Sequence, residues 1–108
     1  EYARKRYAAN PKLYNVIGKE QRFKQKEDTM NRYGGKCQCC GESALIFLTI
    51  DHIDNSGADH RKQIGGGGNK LYSWLKRNNY PEGFRVLCFN CNYAIYHNNG
   101  VCPHQELV

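Results

Sequence analysis

Two cysteine pairs, Cys37-Gln38-Cys39-Cys40 and Cys88-Phe89-Asn90-Cys91, constrain this chain more than any other feature. Each contains a C-x-x-C spacing, in which one tight turn presents two thiolates to a tetrahedral ion at about 2.3 Å each. At 108 residues the chain makes one domain, or one domain with an arm. A core that small gains from a staple, either disulfides or a structural metal. Evenly scattered cysteines would point to a secreted disulfide scaffold, whereas two short pairs far apart point to metal. Gly41 favours the pairing Cys37/Cys40 over Cys37/Cys39, because a knuckle turn needs a residue tolerant of positive φ there. Cys39 is then a bystander or belongs to another site. A closed four-thiolate site leaves no open coordination position and is structural. The competing readings are disulfides and a redox C-x-x-C, the latter wanting a βαβ context that the sequence lacks. Cys102-Pro103-His104 offers more: with Cys39 and His97 it makes a second metal site, or it packs the tail.

The charge is unevenly placed. Residues 1–36 hold ten Lys and Arg against four acids, and the remainder balances, so the whole net charge of +6 arises at the N-terminal end. A basic segment of this kind fits attraction to a phosphate backbone, and a solvated surface helix is the plainer alternative. Arg4, Lys5, Arg6, Arg22, Lys24 and Lys26 are its candidate DNA contacts. No apolar run suits a signal peptide or a membrane span, so the expected location is intracellular, with reduced thiols. The chain opens on Glu1, and the expectation is that the natural N-terminus lies upstream.

Asn10-Pro11 reads as a helix start, and Leu13, Val16, Ile17, Phe23, Met30 and Tyr33 recur at roughly helical spacing until Gly34-Gly35. Residues 11–33 are thus one long or twice-broken helix. Leu45–Ile50 is an apolar, β-favouring run and is expected as a strand. Residues 53–69 read as a loop, and Lys70–Arg77 as a short amphipathic helix capped by Asn69. Pro81-Glu82-Gly83 turns into a second strand, Phe84–Leu87, and a helix is expected from Cys91 to before Gly100. The order is knuckle, strand, loop with inserted helix, strand, helix.

Asp51 and His52 close the first apolar strand. Neighbouring strand residues face opposite ways, so the strand must break there if both serve one site. Asn92 directly follows the last cysteine of the second pair, and a shared metal would bring it towards Asp51. Asp and Asn oxygens suit a hard ion such as Mg²⁺ or Mn²⁺, and a histidine can take a proton from water attacking phosphorus. Taken singly, an Asp-His pair is more often a loop hydrogen bond, and an Asn after Cys a helix cap.

The joint pattern, C-x-x-C, then Asp-His ending an apolar strand, then a strand running into Leu87-Cys88-x-x-Cys91-Asn92, resembles the HNH (ββα-metal) endonuclease family. It is most similar to the four-cysteine zinc branch that includes phage recombination endonuclease VII and small phage-encoded HNH proteins. The segment from Tyr80 to Cys88 and the basic, tyrosine-containing arm are also similar. The likeness spans residues 34–98 well and the arm loosely. It implies an α+β fold: a small zinc-stapled ββα-metal core over 35–108 behind a basic helical DNA-binding arm over 1–34. It implies structural Zn²⁺ on Cys37, Cys40, Cys88 and Cys91. It further implies catalytic Mg²⁺ or Mn²⁺ on Asp51 and Asn92, His52 as general base, DNA as partner, and a bacterial or phage-infected cytoplasm. Ile95 stands where the family often has lysine, and the family's middle asparagine has only Asn79 as a weak counterpart. His97, five residues after Asn92, points about 140° away on an ideal helix and makes a poor further ligand. His60, Arg61 and Lys62 lie in the loop after His52 and are candidate phosphate contacts.

The expected function is therefore metal-dependent hydrolysis of DNA phosphodiesters. Cutting both strands would take a homodimer or sequential nicks. The alternatives are a non-catalytic zinc-ribbon or treble-clef nucleic-acid-binding module and, with less support, a zinc-stapled protein-interaction module.

Overall fold

The computed structural model describes residues 11–106, with side chains from 15 to 105. Helix α1 runs unbroken over Pro11–Arg32. The Tyr33 and Gly35 N–H groups both bond Met30 O, and the Gly34 N–H bonds Asn31 O. Gly34 and Gly35 adopt φ of 108° and 73°, so the helix ends on a glycine cap that satisfies its last carbonyls. The Asn10 cap, and Arg4, Lys5 and Arg6, lie outside the described residues.

The expected apolar stripe of α1 is only partly used. Val16 and Phe23 stay more than half exposed at 53% and 57%, whereas Thr29 and Met30 are buried. Gln25 Nε2 donates to Ser73 Oγ at 2.7 Å, and the Tyr33 hydroxyl donates to Pro81 O at 2.7 Å. The end of the helix is therefore built into the core, and its earlier turns run along the surface.

The apolar run expected as one strand is divided. Leu45–Phe47 forms a single 3₁₀ turn, and the strand β1 is Leu48–His52. Its antiparallel partner β2, Phe84–Cys88, pairs Leu48 with Cys88 and His52 with Phe84. Residues before Leu48 have no ladder partner, since β2 ends opposite it, and Ile46 and Phe47 are accordingly exposed.

Between the strands lie α2, Gly57–Ile64, and α3, Asn69–Arg77. The first corrects the loop expected over 53–69, and it moves His60, Arg61 and Lys62 from a loop onto a helix. Helix α2 has no apolar periodicity to reveal it. What it has are end signals: Asp59 in its first turn, Arg61 and Lys62 in its last, and Gly65 in the left-handed region, φ 88°, closing it. Asn69 is inside α3 rather than its cap, which falls on Gly68. Leu71, Tyr72 and Leu75 bury against Met30, Leu48, Ile50, Val86 and Leu87 to form the core. After β2 comes α4, Phe89–His97, starting two residues earlier than expected, and then the single turn α5, Pro103–Glu106.

The fold is α+β, a two-stranded antiparallel sheet among helices, with the cysteines at one end of the sheet. Among the described residues no helix is long and apolar enough to cross a membrane.

Candidate functional site

The two cysteine pairs meet because the knuckle is hydrogen-bonded to β2. The Cys37 N–H bonds Glu42 O at 2.8 Å, the Gly41 N–H bonds Cys37 O at 2.9 Å, and the Gln38 N–H bonds Val86 O at 3.0 Å. Gly41 has φ 82°, the left-handed turn that its place after Cys40 demanded. On the other side Cys88 ends β2 and caps α4, its sulfur accepting from the Cys91 N–H at 3.4 Å. The sulfurs of Cys37, Cys40, Cys88 and Cys91 all lie within 4.8 Å of one another. Cys40 Sγ and Cys88 Sγ are 3.7 Å apart, against the S···S edge of about 3.8 Å that 2.3 Å bonds to a tetrahedral ion require. All six cysteines are free thiols. The donor set and spacing thus fit a zinc ion held by Cys37, Cys40, Cys88 and Cys91.

The thiols are unequal. Burial would raise Cys37, but the backbone N–H groups of Cys40, Cys88 and Cys39 outweigh it and bring the thiol down to about 6, ready to ligate as thiolate. Cys91 is pushed up, first by complete burial and then by the surrounding thiols of Cys88, Cys102, Cys37 and Cys40. A second group gathers beside the first: Cys39, Cys91, Cys102 and His104 also lie within 4.8 Å. His97 belongs to neither group; its ring lies against Tyr93 and Tyr96, at 4.2 and 5.0 Å between centroids.

Asp51 and His52 do not sit at a strand break, as their expected joint service required. They are the last two residues of a regular strand, paired with Arg85 and Phe84. Alternation therefore sends their side chains to opposite faces. Leu48, Ile50 and His52 face the core, and Thr49 and Asp51 face the other way. Asp51 Oδ2 accepts from Arg85 Nε at 2.8 Å, an ion pair with both side chains about three-quarters shielded. Asn92 Nδ2 donates to Thr49 Oγ1 at 2.9 Å, and Thr49 Oγ1 itself donates to Leu87 O at 2.7 Å. The Thr49 proton is committed to a carbonyl, so Thr49 can only accept from Asn92. This fixes the amide orientation and leaves Asn92 Oδ1 as the acceptor turned away from Thr49.

His52 is held on the opposite face. Its Nε2 lies 2.8 Å from His60 Nδ1, and Phe84 packs edge-on at 4.8 Å. Burial chiefly, then the neighbouring His60 and Arg61, lower its pKa against the opposing pull of Asp51 and Asp54. His60 packs edge-on against Trp74 at 4.2 Å, and its buried Nε2 has no hydrogen-bond partner among the described residues.

Because β1 ends at His52, that residue borders two clefts. One, of about 230 Å³, is lined by Ser56, Asp59, His60, Gln63, Trp74 and Phe84 besides His52. The other, of about 440 Å³, brings Asp51, His52 and Asn92 to one cavity wall together with Asn55, Arg85 and Asn99. Arg85 and Thr49 were not singled out from sequence, because only the strand register sets them opposite Asp51 and against Asn92. Asn55 and Asn99, with φ of 64° and 52°, are turn residues that frame the cleft. Asn79 also has positive φ, but it is exposed beyond α3 and lines neither cleft. Of the basic candidates, Arg22, Arg61 and Lys62 are exposed. Lys24 is paired with Glu27 and Asp28 at 3.7 and 3.0 Å, and Lys26 lies 5.9 Å over the Phe89 ring, its pKa lowered by burial.

No family model, curated protein or solved structure matches the chain.

Proposed function

We propose that the chain is a metal-dependent endonuclease of the HNH type, hydrolysing DNA phosphodiesters in the cleft bordered by Asp51, His52 and Asn92. The observation that carries this reading is that Asp51 and Asn92 line one cavity which His52 borders from the end of β1, with Asn92 Oδ1 left available by Thr49. Asp51 and Asn92 offer the hard oxygen donors that Mg²⁺ or Mn²⁺ prefers, and would hold it while keeping several waters. When bound, the ion supplies positive charge against the departing sugar oxygen.

The chain's own groups do the rest. His60 engages His52 through Nε2, so Nδ1 is the nitrogen left to take a proton in this reading. The lowered pKa keeps the imidazole neutral and able to accept at pH 7. Arg85 neutralises Asp51 in the free protein and turns to a phosphate oxygen when ion and substrate enter. A zinc held by Cys37, Cys40, Cys88 and Cys91 would be structural, fixing the start of α4, hence Asn92, against β1. Exposed Arg22, Arg61 and Lys62 supply salt-dependent attraction to the backbone.

Nicking of supercoiled plasmid at low salt with Mg²⁺ or Mn²⁺, by protein of verified zinc content, is the test. The expected result is relaxed circles, lost in His52→Ala and Asp51→Asn. Intact plasmid with every divalent ion refutes the reading. A non-catalytic nucleic-acid-binding module remains the second reading, favoured by one observation: Asp51 and His52 are each engaged by a protein partner. It predicts DNA retardation without cleavage, indifferent to substitutions at Asp51, His52 and Asn92.

A further inference from the structure

We infer that the cysteine cluster holds two tetrahedral metal ions, of which zinc is the natural choice, sharing the sulfur of Cys91. Cys37, Cys40 and Cys88 complete one tetrahedron, and Cys39, Cys102 and His104 complete the other. Each set lies within 4.8 Å, and Cys91 is common to both.

The contacts of His104 carry the argument. Its Nδ1 lies 3.4 Å from Cys91 Sγ, 3.4 Å from Cys102 Sγ and 3.9 Å from Cys39 Sγ. One ring nitrogen has a single proton or a single lone pair, so hydrogen bonding accounts for one of these contacts and not for three. An ion bound at about 2.3 Å to sulfur and about 2.0 Å to nitrogen sets every S···N edge at about 3.5 Å, which the three distances bracket. A further donor sits where a ligating thiolate needs one: Gln105 Nε2 points at Cys39 Sγ at 3.4 Å.

The chain is shaped to bring this second half in. Beyond α4, Asn99 and Gly100 take left-handed φ of 52° and 84°, and the Gly100 N–H bonds Ile95 O at 2.9 Å. The tail folds back, Cys102 is buried at 3% exposure, and the turn α5 presents His104 two residues on. The charge balance does not oppose a second ion. Two dications against six thiolates and a neutral imidazole leave two negative charges, the same as one dication against four thiolates. The second ion therefore uses every cysteine of the chain without adding charge to a buried cluster. Its structural effect is to staple the tail to the knuckle and hold the first turn of α4 from a second side.

This inference rests on the four-thiolate site but not on hydrolysis, and its test reads metal content alone. Elemental analysis and native mass spectrometry of the full, zinc-saturated chain should give two zinc ions per chain. His104→Ala and Cys39→Ser, both outside the buried core, should retain one. After cadmium exchange, metal NMR should show two resonances coupled through the shared sulfur. One ion in the wild-type chain overturns the inference, as does retention of both ions by the two variants. Two uncoupled cadmium resonances overturn the sharing of Cys91, and a chain binding no zinc removes the four-thiolate site as well.

Discussion

For the proposed nuclease reading, Thr49 gives the sharpest test of how the cleft is organised, because it acts only through Asn92. Its hydroxyl donates to Leu87 O and accepts from Asn92 Nδ2, so it alone dictates which end of the Asn92 amide is free. Thr49→Val keeps shape and β-branching while removing both bonds. At about 0.5–1.5 kcal/mol net per hydrogen bond, the stability cost is about 1–3 kcal/mol. That is smaller than the about 5–15 kcal/mol of an ordinary domain, so the variant should stay folded. With the amide free to turn, the ligand oxygen is no longer oriented, and loss of such a supporting partner weakens metal binding by about 10–100-fold. The assay is plasmid nicking as a function of Mn²⁺ concentration. The half-saturating concentration should rise by that factor while the rate at saturation stays near wild type, and Thr49→Ser should restore the original requirement. An unchanged Mn²⁺ dependence in a nicking-competent variant refutes the assigned orientation. A rate loss that excess Mn²⁺ does not repair removes Thr49 from the ion's support.

If Cys37, Cys40, Cys88 and Cys91 hold the zinc their spacing fits, a strong chelator should unfold the chain. Such sites contribute about 10–16 kcal/mol in small domains, at least as much as a domain's whole net stability, and loss of far-UV circular dichroism on chelation measures it. Leu75 is fully buried, and Leu75→Ala should cost about 2–5 kcal/mol in urea unfolding of the metal-loaded protein. His52 should make stability pH-dependent. Its folded pKa lies below the ordinary 6.5, through burial and then His60 and Arg61, against Asp51 and Asp54. The unfolded chain therefore takes up the proton first on acidification. The contribution is complete above about 6.5 and declines as pH falls through the folded value. Wild type should lose stability relative to His52→Phe over that range, and parallel curves would disprove the effect.

Some of this architecture is legible in local chemistry. Glycines at 34, 35 and 41 mark a helix end and a knuckle because only such turns require positive φ there. The α3 stripe of Leu71 and Leu75 is visible because burial of one helix face leaves a period. Helix α2 escapes the same reading because it buries no residue and so has no apolar stripe. The apolar run extends the expected strand back to Leu45, because such a run says nothing about where its partner stops.

The cysteine pairs show the division most clearly. Their spacing, together with Gly41, determined from sequence alone that two turns would each present thiolates, because C-x-x-C geometry is local. What converges on those turns depends on contacts between residues distant along the chain. Only the tertiary structure turned the tail back so that His104 meets Cys39 and Cys91. Only the register set Arg85 against Asp51, and only alternation along β1 sent His52 to His60 on the opposite face. Pairing across a sheet and the return of a tail are decided by packing and backbone hydrogen bonds summed over the whole chain, and no short motif encodes them.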